Sequence, residues 1–216
     1  MKHLHRRIRL GLVATLTGAL AGALAVPVLS TMAPLPAQAA VLCTQTIVGA
    51  HSGVLNVAAN QKLCLVGAVQ DSAVNVAPGG ALSVSLSTIT GAITLKSGFT
   101  SFDFCASKTV RGAISATGAQ GTVLIGGSGP GALLCPANTI DGAITLNANK
   151  AGVTLAFGTI SGAVTASANL GGTTISGNHI GGNITCTTNV PAPTNAGVAN
   201  SVGGGRSGQT CAVNTF

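Results

Sequence analysis

Thr139-Ile140-Asp141-Gly142-Ala143-Ile144-Thr145-Leu146 opens a stretch, residues 139–198, that divides into three rows of twenty without a gap. The second row begins Thr159-Ile160-Ser161-Gly162-Ala163-Val164-Thr165-Ala166, and the third begins His179-Ile180-Gly181-Gly182-Asn183-Ile184-Thr185-Cys186. A fixed period of about 20 to 50 residues is the sequence mark of a solenoid, in which each repeat is one supersecondary unit that cannot bury its apolar face alone.

The same signature, Thr-[Ile/Val]-x-Gly-Ala-[Ile/Val]-[Thr/Ser], continues toward the N-terminus with copies starting at Thr46, Cys64, Thr88 and Thr109. That makes seven copies, with glycine at the fourth position of each and start-to-start spacings of 18, 24, 21, 30, 20 and 20. Most copies are followed by a second β-like run, such as Val153-Thr154-Leu155 or Thr173-Thr174-Ile175. Turn-formers lie between, such as Asn147-Ala148-Asn149 and Asn169-Leu170-Gly171-Gly172. Short β-branched runs bounded by Gly and Asn read as strands, and no segment after residue 40 has the length and 3.6-residue period of a helix. The expected fold is an all-β, single-domain parallel β-helix of about seven coils, taken as right-handed, with disulfide-tied ends. Its expected boundaries are a signal peptide over 1–39, repeats over 40–198 and a loop or cap over 199–216.

Alternation along a strand places signature positions 2, 4, 6 and 8 on one face. They read Ile, Gly, Ile/Val and Leu/Ala, a set suited to a narrow interior. The recurrent glycine marks either the close approach of a backbone or side chain from the opposite wall, or a bend or bulge. From residue 46 to about 198 the chain resembles bacterial secreted parallel β-helix repeat proteins, a resemblance that implies the fold and carries function only by analogy.

Six cysteines in an exported chain imply a disulfide framework. Cys105 and Cys135 each lie four residues before a signature threonine, and so fall in one column of consecutive coils. Strands stacked about 4.8 Å apart bring such a pair within disulfide reach. The pairing Cys105–Cys135 would clamp an insertion over 129–138. Cys43–Cys64 would then close the first coil and Cys186–Cys211 the tail. Cysteine and histidine spacing does not suggest a zinc site.

The formal charge of +7 is concentrated at the start. Beyond residue 40, Lys62, Lys96, Lys108, Arg111, Lys150 and Arg206 face Asp71, Asp103 and Asp141, a net of +3. These bases are scattered singly, without the stripe that nucleic-acid binding needs. The basic residues 1–9, the apolar run 10–30 and the small-x-small site Ala37-Gln38-Ala39 form the three-part layout of a secretory signal. Arg6-Arg7 also resembles a twin-arginine export signal. The mature chain is expected outside the cell or on its envelope, with no membrane span once the signal is removed.

Some parallel β-helices are polysaccharide lyases or hydrolases, chemistry that draws on paired carboxylates. Glu, Trp and Tyr are absent, and the three aspartates fall in different columns of the signature alignment. His51 and His179 lie six coils apart, His51 where other copies place Val or Ile and His179 where they place Thr. No catalytic residue, cofactor or metal site is assigned. Arg111 and Asp141, both at position 3 of adjacent coils, are expected as a surface ion pair. Thr94, Ser115, Thr145, Thr165 and Thr185 form a candidate surface ladder beside a column of alanines. That array resembles the faces of ice-binding β-solenoids, although Arg111 and Asp141 are expected to interrupt it. The expected function is a non-enzymatic structural or surface-interaction role, with cell-envelope components or polysaccharide as partners. Ice binding and polysaccharide binding or degradation are the alternatives.

Overall fold

The computed structural model describes residues 42–105, 109–127, 135 and 137–216. The expected signal peptide, 1–39, lies outside the described residues, as does most of the insertion expected over 129–138. The described chain is a parallel β-solenoid with three walls. The first wall stacks the short strands Thr88–Ile89, Thr109–Val110, Thr139–Ile140, Thr159–Ile160, His179–Ile180 and Ser201–Val202. The second is an eight-stranded sheet: Leu55–Val57, Val74–Val76, Ile93–Leu95, Ile114–Thr117, Ile144–Asn147, Val164–Ser167, Ile184–Thr187 and Arg206–Ser207. The third stacks Ala81–Ser85, Ser101–Cys105, Val123–Gly126, Val153–Ala156 and Thr173–Ser176. Lys62–Gln70 runs through a corner, pairing first with Ala81–Ser85 and then with Thr88–Ile89.

Eight rungs in the second wall replace the seven copies expected from the signature. The added rung is Arg206–Ser207, beyond the last copy, and the register differs from expectation at the N-terminal end. Thr88 and Ile89 pair with Val69 and Gln70, and the preceding coil presents Ala50 and His51 to those same residues. The copies starting at Thr46 and Cys64 are therefore out of register with the later five. Their shared letters align with each other, Thr46 with Cys64, but Cys64 continues onto Ser83 of the third wall. A bulge between Ile47 and Gly49 offsets the first coil further. At the other end, Ser201–Val202 and Arg206–Ser207 still add rungs to both walls, so the cap begins later than residue 199. It consists of a 3-10 turn, Gln209–Ala212, and the buried ring of Phe216.

The interior is a set of aliphatic columns. Ile89, Val110, Ile140, Ile160 and Ile180 form one, and Val74, Ile93, Ile114, Ile144, Val164 and Ile184 another; all are fully buried. Phe99, Phe102 and Phe104 fill the middle coils, where the third-wall column widens. Each buried aliphatic side chain contributes about 1.5–3 kcal/mol through removal from water. Only stacking makes that burial possible, because a single coil leaves both of its rims open.

The signature is not one strand. It turns a corner at its glycine, between the first and second walls. A Cβ on Gly142 would lie 2.5 Å from Ala113 N and Gly112 O, and one on Gly162 would lie 2.6 Å from Ala143 N and Gly142 C. In the later copies the glycine marks the expected bend, and the close approach comes from the backbone of the preceding coil and not, as expected, from the opposite wall. In the out-of-register copies the reason changes, since Gly49 and Gly67 have open space around them but adopt φ of 77° and 58°.

Two other corners are filled by asparagine. Asn149, Asn169 and Asn189 are buried in one column. Asn149 Nδ2 donates to Asn169 Oδ1 at 2.8 Å, Asn169 Nδ2 to Asn189 Oδ1 at 2.8 Å, and Asn189 Nδ2 to Gln209 Oε1 at 2.8 Å. Each amide also accepts the backbone N–H of the rung before and donates to a backbone carbonyl. Residues that read as turn-formers in the sequence thus have internal side chains. Asn178 and Asn200 repeat the arrangement at the next corner, ending on the Phe216 carbonyl. Ala148, Ala168 and Thr188 precede the first ladder with φ of 52°, 53° and 53°, a left-handed conformation that turns the asparagine side chains inward.

Two substitution pairs test this account. Gly162→Ala is expected to lower stability by about 1–3 kcal/mol through overpacking against backbone. Gly152→Ala, whose Cβ would meet only Gly171 O at 3.7 Å, should be close to neutral in the same melting experiment. Asn169→Ala strands buried donors and acceptors on both sides and should cost about 1–3 kcal/mol or more. Asn147→Ala, on the outer surface two residues away from Asn149, should stay within about 0.5 kcal/mol.

Candidate functional site

The second wall carries the candidate ladder. Thr94 pairs with Ser115, Ser115 with Thr145, Thr145 with Thr165, Thr165 with Thr185, and Thr185 with Ser207, with no register shift between any of these strands. Alternation sends these side chains outward because Ile93, Ile114, Ile144, Val164 and Ile184 point inward. Toward the N-terminus the column continues as Asn56 and Asn75, whose side chains hydrogen-bond at 3.1 Å. Ser52, which the signature would place in this column, stands instead at the neighbouring corner, one residue beyond His51. Thr46, Ala50 and Ala68 leave their expected columns for the same reason; Ala68 is buried.

Two further columns flank the ladder on the same face. Ala73, Ala92, Ala113, Ala143 and Ala163 accept the ladder-side N–H bonds of the preceding coils and form one border. Thr117, Asn147, Ser167 and Thr187 pair in register and form the other. Each of four consecutive coils therefore shows two polar side chains spaced i, i+2: Ser115/Thr117, Thr145/Asn147, Thr165/Ser167 and Thr185/Thr187. The signature concealed these pairs because their second member falls just beyond its seven residues.

Arg111 and Asp141 do not interrupt this face. They sit at the corner before it, where Arg111 N donates to Ile89 O and Asp141 N to Val110 O. Both side chains are exposed, and no ion pair between them is present among the described residues. Asp71 occupies that corner column too, three rungs from Asp141, which corrects the expectation of separate columns. Three rungs amount to about 14 Å at the usual strand spacing, beyond the about 5–9.5 Å that separates the carboxyls of glycoside hydrolysis. Asp71 Oδ1 accepts from Gly53 N at 2.9 Å.

His51 and Gln70 close the N-terminal end of the core. Gln70 is fully buried at a position that is Ile or Val in the following rungs, with its Nε2 donating to Gly53 O at 2.6 Å. Its Oε1 lies 2.8 Å from His51 Nδ1, and half-buried His51 covers it. His179 is exposed, on the rung after Thr159. The three cystines are Cys43–Cys64, Cys105–Cys135 and Cys186–Cys211. Among the described residues no group of three or more His, Cys, Asp or Glu could hold a metal ion, and no helix is long and apolar enough to cross a membrane.

Depressions elsewhere are shallow. One of 510 Å³ runs along a corner past Thr44, Asn60, Lys62, Thr100 and Thr122, and one of 380 Å³ lies beside Phe157 and Val198. Neither gathers convergent titratable groups. No protein-family model matches the chain, and no curated protein or solved structure is significantly similar to it.

Asp103 points outward on the third wall between Ser83 and Leu124. Desolvation by the surrounding chain raises its carboxyl above 3.8, and the nearby Lys62 ammonium opposes the rise. A raised folded-state pKa gives stability that is present below the unfolded value and is lost as pH rises through the folded value. At neutral pH the carboxylate therefore costs stability. Asp103→Asn should melt at a higher temperature than the parent at pH 7, and the gap should close when both are melted below pH 3.8.

Proposed function

We propose that this chain is a non-enzymatic, exported structural or surface-interaction protein of the cell envelope or extracellular space, acting through the second wall. The observation that carries the reading is the run of four coils whose outward side chains form an uncharged, in-register array of hydroxyl, amide and methyl groups. Such a face can make many identical weak contacts on a rigid support. β-branched residues hold few rotamers, so little ordering entropy is lost when an external surface is met. Support for export comes from three cystines, since disulfides persist in oxidising compartments, and from the three-part signal layout of residues 1–39. Envelope components and polysaccharide are among the extended surfaces that such a face can meet.

Fractionation of the source cells checks this reading. The tagged full chain should appear in the envelope fraction, accessible to protease on intact cells, with its cysteines resistant to alkylation. Recovery from the cytosol with free thiols would overturn it, and recovery from culture medium alone would assign the chain to the extracellular space rather than the envelope.

A further inference from the structure

The second wall differs from its neighbours in what it lacks as well as in what it shows. From Ala113 to Thr187 its outward positions are Ala, Ser, Thr and Asn, with no charged side chain. Lys96 borders the array on one side, and at the other end Arg206 turns inward, with Nη2 donating to Asn200 O at 2.7 Å. The third wall, by contrast, carries Lys62 and Asp103, and the corner column carries Asp71, Arg111 and Asp141. The hydroxyls of Thr94, Ser115, Thr117, Thr145, Thr165 and Thr187 make no side-chain hydrogen bond among the described residues. Ser167 Oγ donates to Asn147 Oδ1 at 2.9 Å, and Thr185 Oγ1 lies 2.9 Å from Ser207 Oγ.

We infer that this wall binds crystalline water, the surface of ice. The inference rests on the reading that the protein acts through its surface, and it names the ligand. A two-dimensional array calls for a ligand with two-dimensional order. Along the solenoid axis the hydroxyls repeat at about 4.8 Å, and across each strand at about 6.6 Å, twice the rise per residue. Oxygens on the faces of ice repeat at intervals of the same order. Each hydroxyl both donates and accepts, which matches the mixed donor and acceptor character of an ice plane.

Other occupants fit less well. A charged polymer or mineral would require opposite charges that these coils do not offer. Another protein would require large anchors such as Trp, Tyr or Arg, and the outward side chains here are short. A polysaccharide would be gripped best by aromatic platforms, and the exposed ring of Phe157 lies on a different wall.

The test uses the full oxidised chain. Thermal hysteresis should appear in the parent and persist in Thr159→Lys plus Ser161→Lys, which alters the first wall and its corner. It should fall to the level of buffer in Thr145→Lys plus Thr165→Lys at an unchanged melting temperature. If that double variant does not fold, Thr165→Tyr, which adds bulk only on the solvent side, should give the same loss. No hysteresis in the parent, or equal hysteresis in both double variants, would overturn the assignment. Sedimentation of the parent with crystalline cellulose or chitin, without hysteresis, would assign the wall to polysaccharide instead. A parent retained on the envelope but lacking hysteresis rejects ice and leaves the surface role standing.

Discussion

Ile140 lies on Ile160, and Ile160 on Ile180, while Ser161 and Gly181 donate their N–H groups to the carbonyls of Ile140 and Ile160. That coil-on-coil register is the constraint on which the rest of the molecule depends. Each coil has no core of its own. Its apolar side chains are buried by the rung above and the rung below, so a residue is suitable only if it matches its equivalents one coil away. The chain's composition follows from this: small and β-branched side chains stack upon themselves, and large ones appear where a column widens around Phe102 and Phe104.

Stacking also explains why polar residues are tolerated inside. A lone buried amide is costly, but in a ladder each Asn oxygen accepts from the rung before and each Asn nitrogen donates to the rung after. Asn149, Asn169 and Asn189 are satisfied through one another. The ladder needs a partner at its end, and Gln209 and the Phe216 carbonyl provide one for each column. The same logic places Gln70 under His51 at the opposite end. The two ends of the solenoid are closed by polar groups, and the cystines Cys43–Cys64 and Cys186–Cys211 tie the terminal coils to their neighbours.

Much of the fold was legible because the period is plain where stacking is most regular. Rows starting at Thr139, Thr159 and His179 align in the sequence as they do in space. The ladder from Thr94 to Thr185 was readable for the same reason. The N-terminal coils were misread because Gly49 and Gly67 mimic the signature glycine, while their real role is to supply a left-handed backbone beside a bulge. Burial of the asparagines was missed because Asn beside Gly and Ala signals a turn, and the local signal is silent on which way a turn's side chain points. Their twenty-residue spacing was the available clue.

By itself the sequence determined that this chain stacks short parallel strands, which columns are apolar, and which cysteines lie close enough to join. Those follow from periodicity, because equal spacing along the chain becomes adjacency across coils. The tertiary structure decided where the walls turn. A corner at the signature glycine sends Arg111 and Asp141 off the face, and leaves Thr145 with Asn147, and Thr165 with Ser167, side by side on an uncharged wall. No local pattern could settle that, since the bend is set by the backbone of the coil beneath, about twenty residues away in the most regular part of the chain.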